Sequence, residues 1–276
     1  MEQELKNRVK NFFSFLLWTM ALAALCSGCG RGNKVGVNLV GSTSIQPFAE
    51  MLAQEYDKRY PGRHVEVQGG GSTAGLQAVI EGIADIGTCS RSLKKEESGF
   101  VPIVIAHDGL AIVVHQSNMI KSLSLEQIRR IFSGEITKWR EVGGADRLIR
   151  LITREEGSGT REAFVKLVME KDRISRKALT QESNGAVKEL VKHDPCAIGY
   201  MSLGLVGGEL KATQVYHVTA ATDTVKSGAY PLVRPFLFVV KGKPAKAAQD
   251  FIDFVLSQDG QRLLEKEGLV GAAEQK

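Results

Sequence analysis

Val35-Gly-Val-Asn-Leu-Val-Gly-Ser-Thr-Ser-Ile-Gln-Pro47 runs from an apolar segment, through a glycine- and hydroxyl-rich turn, toward Phe48, Met51, Leu52 and Tyr56. Residues 35–40 predict a short buried strand, and the apolar positions after Pro47 recur at helical spacing as far as Tyr60. Pro47 lies in the first helical turn, where a missing N–H costs little, and Pro61-Gly62 stops the helix. The same phrase then repeats. Residues 64–68 alternate like a strand, Gly69-Gly-Gly-Ser-Thr73 forms the turn, and residues 74–81 read as a helix before a short strand at 84–87. Further along, strands are expected at 110–115, 148–153, 197–201 and 235–240. Helices are expected at 125–132, from Gly157-Ser158-Gly159-Thr160 through Met169, at 186–192 and over a long amphipathic stretch at 245–264. Ser124, with Glu126 and Gln127 after it, supplies the start signal of the 125–132 helix. Strands alternating with helices define an α/β fold with a mostly parallel sheet.

The chain has 276 residues, 43% hydrophobic and 24% charged, enough to bury a sizeable core and too apolar for a disordered chain. Its net charge of +5 is spread along the sequence rather than gathered in a basic block, which argues against nucleic acid as a partner. Residues 1–28 read as a signal peptide. Lys6, Arg8 and Lys10 precede an apolar run at 12–25, which ends in Ser27-Gly28-Cys29. The run falls short of the roughly 20 residues that span a bilayer. Two of the four cysteines, Cys26 and Cys29, belong to this segment. For the others, Cys89 and Cys196, one disulfide and two free thiols both stay open, because sequence cannot place them within bonding distance.

Three turns share one chemistry. Gly41-Ser42-Thr43-Ser44, Gly71-Ser72-Thr73 and Gly157-Ser158-Gly159-Thr160 each sit between an extended segment and a helix. A helix start offers unpaired N–H groups and the positive end of the dipole, glycine permits close approach, and hydroxyls add donors. Any one of the three is ordinary N-capping. Three together, with Arg154 before the last and Arg91 after the 84–87 strand, point to a small tetrahedral oxyanion held mainly by hydrogen bonds. Enzyme signatures are missing. The sequence has no G-x-x-x-x-G-K-[ST], no G-x-S-x-G, and no metal spacing among its five histidines, so neither a catalytic group nor a metal or other cofactor is expected. His107 and Asp108 are neighbours on an extended segment and point to opposite faces, which suits a structural or hinge role rather than a catalytic pair.

These turns, with Ile131-Phe-Ser-Gly-Glu-Ile-Thr-Lys-Trp139 and Glu141-Val-Gly-Gly144, resemble the PstS-like phosphate-binding proteins of bacterial ABC importers over about residues 35–270. Ala84-Asp-Ile-Gly87 followed by Ser90-Arg91, Arg154 through Thr160, Ala197-Ile-Gly-Tyr200 and Tyr230-Pro-Leu-Val-Arg-Pro235 match in order. The resemblance implies a type II periplasmic-binding-protein fold: two α/β lobes joined by two crossover segments. Lobe one would be 34–107 plus 232–276, and lobe two 108–231. It also implies phosphate bound by Thr43, Ser44, Ser72, Arg154, Ser158, Gly159 and Thr160. Ser90 stands where some members place an aspartate, so Arg91 is expected to donate there and Asp108 to supply the carboxylate acceptor. Such an acceptor takes a proton from phosphate and has none to take from sulfate. Permease subunits are the implied protein partner of a monomeric binding protein. The Gly28-Cys29 junction resembles a lipobox, although Cys26 stands where that pattern places leucine. It implies an exported protein with a lipid anchor on Cys29. Other readings are a binding protein for another oxyanion (sulfate, molybdate or a phosphonate), an exported phosphatase, and a surface adhesin or signalling lipoprotein.

Overall fold

A computed structural model describes Met1 and residues 35–273, so the signal-peptide expectation and Cys29 lie outside the described residues. The chain divides into Met1–Val35 and a second unit, Gly36–Lys276, which carries the fold. Its first elements are β1 (Val35–Gly41), α1 (Gln46–Arg59), β2 (Arg63–Gly69), α2 (Ser72–Ile80), β3 (Ile86–Cys89) and β4 (Val101–His115). Then come β5 (Ser122–Leu123), α3 (Leu125–Ser133), β6 (Arg150–Arg154), α4 (Gly159–Phe164), β7 (Leu179–Gln181), α5 (Asn184–His193) and β8 (Ala197–Ser202). The last are β9 (Leu210–Ala212), β10 (Gln214–Val215), α6 (Thr222–Lys226), β11 (Val233–Val240), α7 (Lys246–Leu256), α8 (Gln258–Lys266) and β12 (Val270–Gly271).

Local chemistry explains many of the boundaries. Pro47 occupies the first turn of α1. Ser124 and Gln127 form a reciprocal capping box at the start of α3: Ser124 Oγ accepts from Gln127 N at 3.0 Å and Gln127 Oε1 from Ser124 N at 2.9 Å. Gly134, at φ 88°, closes the same helix. The continuous helix expected over 245–264 is instead two. Ser257 is extended (φ −65°, ψ 162°) and its hydroxyl caps the amide of Gly260. A Cβ at Gly260 would lie 2.3 Å from Phe254 O, so glycine is what lets α8 turn back so closely on the end of α7.

The hydrogen-bonded strand order is β2-β1-β3-β11-β4-β8-β6-β7, with β9 and β12 also on β4. β1 is parallel to β3, and β6 is parallel to β7 and β8. β11 runs antiparallel to β3 and β4, and β4 antiparallel to β8. The sheet is therefore mixed rather than mostly parallel. Two parallel groups are joined through β11 and β4, which run in opposite directions.

β4 carries the architecture. Its residues from Val101 to Gly109 pair with β11, and those from Leu110 to Val114 pair with β8. Core membership changes at the same place. Ile105 and Ala106 pack with Leu39, Phe48, Tyr56 and Phe251, whereas Leu110 and Ile112 pack with Phe132, Trp139, Phe164 and Tyr200. On the neighbouring segment, Leu232 belongs to the second core and Phe236 to the first. Two adjacent stretches thus cross between two cores, tied at the crossing by the Leu110 N to Leu232 O hydrogen bond of 2.8 Å. The strand expected at 110–115 covers only the second half of β4, which begins at Val101. The strand expected at 84–87 lies two residues later, because Asp85 is used as a brace: its Oδ2 accepts from Asn38 N at 2.8 Å.

Candidate anion-binding site

The three hydroxyl-rich turns meet at the crossing. Gly71 N donates to Gly41 O at 2.9 Å, joining the first two turns, and Thr73 N donates to Gly157 O at 3.1 Å, joining them to the third. Ser44, Ser72, Ser90, Arg154, Ser158 and Thr160 are all buried there. Ser44 Oγ lies 2.7 Å from Thr160 Oγ1, a contact across 116 residues of sequence. Ser72 Oγ accepts from Ser90 N at 3.1 Å and faces Ser90 Oγ at 3.5 Å. Gly159 fits against this pair with nothing to spare, since a Cβ there would sit 2.1 Å from Ser72 Oγ and 2.7 Å from Ser90 Oγ. Ser158 caps α4 by accepting from Arg161 N at 3.3 Å.

Arg154 is a buried cation of the site. Nε and Nη2 bind the Glu155 carboxylate, each at 2.9 Å, and donate to Gln181 O and Glu182 O. Nη2 also donates to Thr43 Oγ1 at 3.0 Å. Nη1 is buried and has no hydrogen-bond partner. An unpaired buried donor costs about 1–3 kcal/mol, more when charged, and an oxyanion is the group that would relieve it. Tyr200 supports the strand beneath: its hydroxyl bonds Thr153 Oγ1 at 2.7 Å and accepts from Arg154 N at 3.3 Å.

Two expected ligand groups, Arg91 and Asp108, are engaged by partners within the protein. Arg91 donates to both carboxylate oxygens of Glu97, at 2.7 and 2.8 Å, and turns its Nε toward Glu162 at 3.1 Å. Its Nη1 and Nη2 are matched by Glu97, whereas Nε, although near Glu162, is buried without a hydrogen-bond partner. Asp108 is fully buried at the crossing, but its oxygens are filled by protein donors: Ser202 Oγ at 2.8 Å, Arg234 Nε at 3.0 Å and Arg234 Nη2 at 2.9 Å. Burial pushes the Asp108 carboxyl up and the Arg234 guanidinium down, and their mutual attraction opposes both shifts. Breaking such a pair by removing one partner costs about 3–5 kcal/mol.

Arg234, Asn184 and Ser202 join the site without having been anticipated. Arg234 Nη1 donates to Thr160 Oγ1 at 2.8 Å and Nη2 to Ser44 Oγ at 3.2 Å, so one guanidinium binds a hydroxyl on each side. Asn184 Nδ2 donates to Ser44 Oγ at 2.8 Å. The only signal for Arg234 was its place in Tyr230-Pro-Leu-Val-Arg-Pro235. The Ile131–Trp139 motif, by contrast, builds the second core: Ile131, Phe132, Ile136 and Trp139 are buried, and Trp139 Nε1 donates to Cys196 O at 3.1 Å. Cys89 is buried, Cys196 is half-buried, and both are free thiols. Among the described residues no group of three or more His, Cys, Asp or Glu could hold a metal ion, and no helix is long and apolar enough to cross a membrane.

A two-lobed α/β fold with a buried, donor-lined site at the crossing is the architecture of a solute-binding protein of the bilobal class. A family model described as a PBP superfamily domain matches residues 27–259, and the chain belongs to that superfamily. It is 28% identical over 261 residues to the phosphate-binding protein PstS of Bacillus subtilis, covering 88% of this chain and 87% of that protein. A substrate-binding protein from Clostridium perfringens, assigned to a phosphate ABC transporter and solved with phosphate bound, superimposes with a TM-score of 0.83. It is 38% identical, and the match covers 86% of this chain and 99% of that one. An ABC-type phosphate transport receptor from Vibrio cholerae is 36% identical with a TM-score of 0.72, covering 85% and 99%.

Proposed function

We propose that this chain is exported, captures inorganic phosphate between its lobes and delivers it to the permease subunits of a phosphate ABC importer. The observation that carries the reading is the unpaired, buried Nη1 of Arg154 within a cluster of buried hydroxyls drawn from three turns. In this reading Thr43, Ser44, Ser72, Ser90, Arg154, Ser158, Gly159 and Thr160 hold the anion. Arg91 acts outside that shell through Glu97 and Glu162, and Asp108 acts through Arg234. Arg154 and Arg234 already have a carboxylate partner each, so local hydrogen-bond donors rather than net charge provide the affinity. Lobe one comprises 34–107 plus 232–276 and lobe two 108–231, a division supported by the change of core between Ala106 and Leu110 and between Leu232 and Phe236. The protein works as a monomer tethered through a lipid on Cys29.

Calorimetric titration with phosphate, sulfate and molybdate tests the substrate. Phosphate is expected to bind at micromolar or tighter affinity and sulfate not to compete; equal heats for the two would refute it. A chromogenic phosphate ester is expected to show no turnover, and measurable hydrolysis would favour the phosphatase reading.

A further inference from the structure

Arg234 and Asn184 leave the hydroxyls of the site only one way to point. A hydroxyl has one proton to donate and two lone pairs to accept with. Ser44 Oγ accepts from Asn184 Nδ2 at 2.8 Å and from Arg234 Nη2 at 3.2 Å, and both of these groups can only donate. The orientation of the Asn184 amide is itself determined, because its Oδ1 accepts from the backbone amide of Ser202 at 3.1 Å. With both lone pairs engaged, Ser44 cannot accept from Thr160. In the 2.7 Å contact between them Ser44 is therefore the donor. Thr160 Oγ1 then accepts from Ser44 and from Arg234 Nη1 at 2.8 Å, which fills both of its lone pairs in turn. Its proton is free to point only at a ligand.

Arg234 cannot reverse this polarity, since a guanidinium has no acceptor, and Asp108 holds it in place through Nε and Nη2. Ser202 ties the two halves of the arrangement together, with its hydroxyl on Asp108 Oδ1 and its amide on Asn184 Oδ1.

We infer that Arg234 is a specificity-determining positioning residue which, with Asn184, makes the Thr160 hydroxyl an obligate donor, so that the site selects an unprotonated oxyanion oxygen at that point. The inference rests on the phosphate reading given above. Any proton carried by the bound phosphate must then face another part of the site, where the Ser72 and Ser90 hydroxyls are free of arginine donors. Between the two ionic forms of phosphate, the dianion offers one more bare oxygen, and the Thr160 donor favours it.

The test is calorimetric titration of the full chain with inorganic phosphate from pH 5.5 to pH 8.5, for the parental protein and for Arg234→Met, Arg234→Lys, Thr160→Val and Thr160→Ser. The parental protein should bind more tightly as phosphate loses its second dissociable proton. Arg234→Met frees Ser44 and Thr160 to accept, so binding at pH 8.5 should weaken about 10- to 100-fold and the pH dependence should flatten. Arg234→Lys keeps a donor-only group and should retain the slope. Thr160→Val leaves the Arg234–Asp108 pair alone and should flatten the slope, whereas Thr160→Ser should preserve it, so the inference stays testable if Arg234→Met fails to fold. Parental slopes in Thr160→Val, or in a folded Arg234→Met, would overturn the inference while leaving phosphate binding intact. A parental protein that does not bind phosphate would overturn the functional reading, and the inference with it.

Discussion

Adding one methyl group at Gly159 should disturb the fold and the site together. Gly159 opens α4, and a Cβ there would stand 2.1 Å from Ser72 Oγ, 2.7 Å from Ser90 Oγ and 3.0 Å from Ser72 Cβ. Rotating Ser72 does not clear the site, since the contacts to Ser72 Cβ and Ser90 Oγ remain and the Ser72 hydroxyl is held by Ser90 N. Carbon contacts are relaxed only near 3.5 Å, so the third turn must retreat by roughly 1 Å from the first two. A retreat of that size takes the 2.7 Å Ser44–Thr160 contact and the 3.1 Å Thr73–Gly157 bond past the range of useful hydrogen bonds. It also strains the Arg234 bond to whichever hydroxyl moves away. Losing about three bonds at 1–1.5 kcal/mol each costs the fold roughly 3–4.5 kcal/mol and spreads apart the donors that are to hold phosphate. The helix itself gains, because alanine exceeds glycine in helix preference by about 1 kcal/mol. Gly159→Ala should therefore melt lower than the parental protein without ligand, the helix preference offsetting only part of the loss, and should also lose most of the stabilisation that saturating phosphate confers. Calorimetry and ligand-free and ligand-bound melts measure both quantities. A Gly159→Ala protein whose phosphate affinity matches the parental value would refute the packing of this turn against Ser72 and Ser90.

Two further substitutions probe other parts of the molecule. Ser158→Ala removes both a helix cap and a buried hydroxyl, and should lower ligand-free stability by about 1 kcal/mol and weaken phosphate binding by about 1–3 kcal/mol; unchanged calorimetry would exclude this hydroxyl from the site. The hydrogen bonds from Arg91 hold the Glu97 carboxyl below its ordinary value, outweighing the opposing effect of burial. Unfolding raises that value again, so the contribution of Glu97 is present above about pH 4.5 and is lost as pH falls through the lower folded value. Melts of Glu97→Gln should accordingly show a smaller loss of stability on acidification through this window, and an unchanged acid limb would refute the coupling.

Legibility in the sequence followed the range of the interactions. Ser124 and Gln127 start one helix through contacts three residues apart, and Pro47 and Pro61 bracket another, so these boundaries could be read from spacing alone. The hydroxyl turns were readable for the same reason: glycine, serine and threonine before an amphipathic run reveal a helix start wherever the rest of the chain goes. The break at Ser257 was less visible, because it depends on how closely Gly260 can approach Phe254. The antiparallel centre of the sheet was hidden too, since strand direction is a property of pairing and not of the strand.

Residue type and local order alone determined that this chain has three donor-rich helix starts and the composition of an α/β fold. Tertiary structure decided what those donors face. Arg91 and Asp108 carry the right charges for an oxyanion site. Both also have partners within the protein: Glu97 and Glu162 engage the first, and Arg234 and Ser202 engage the second. Arg234, 190 residues from Ser44 and 74 from Thr160, reaches both because β4 and β11 cross between the cores side by side. The orientation of a hydroxyl depends on every donor within about 3 Å of it, and no local sequence pattern records donors that distant in the chain.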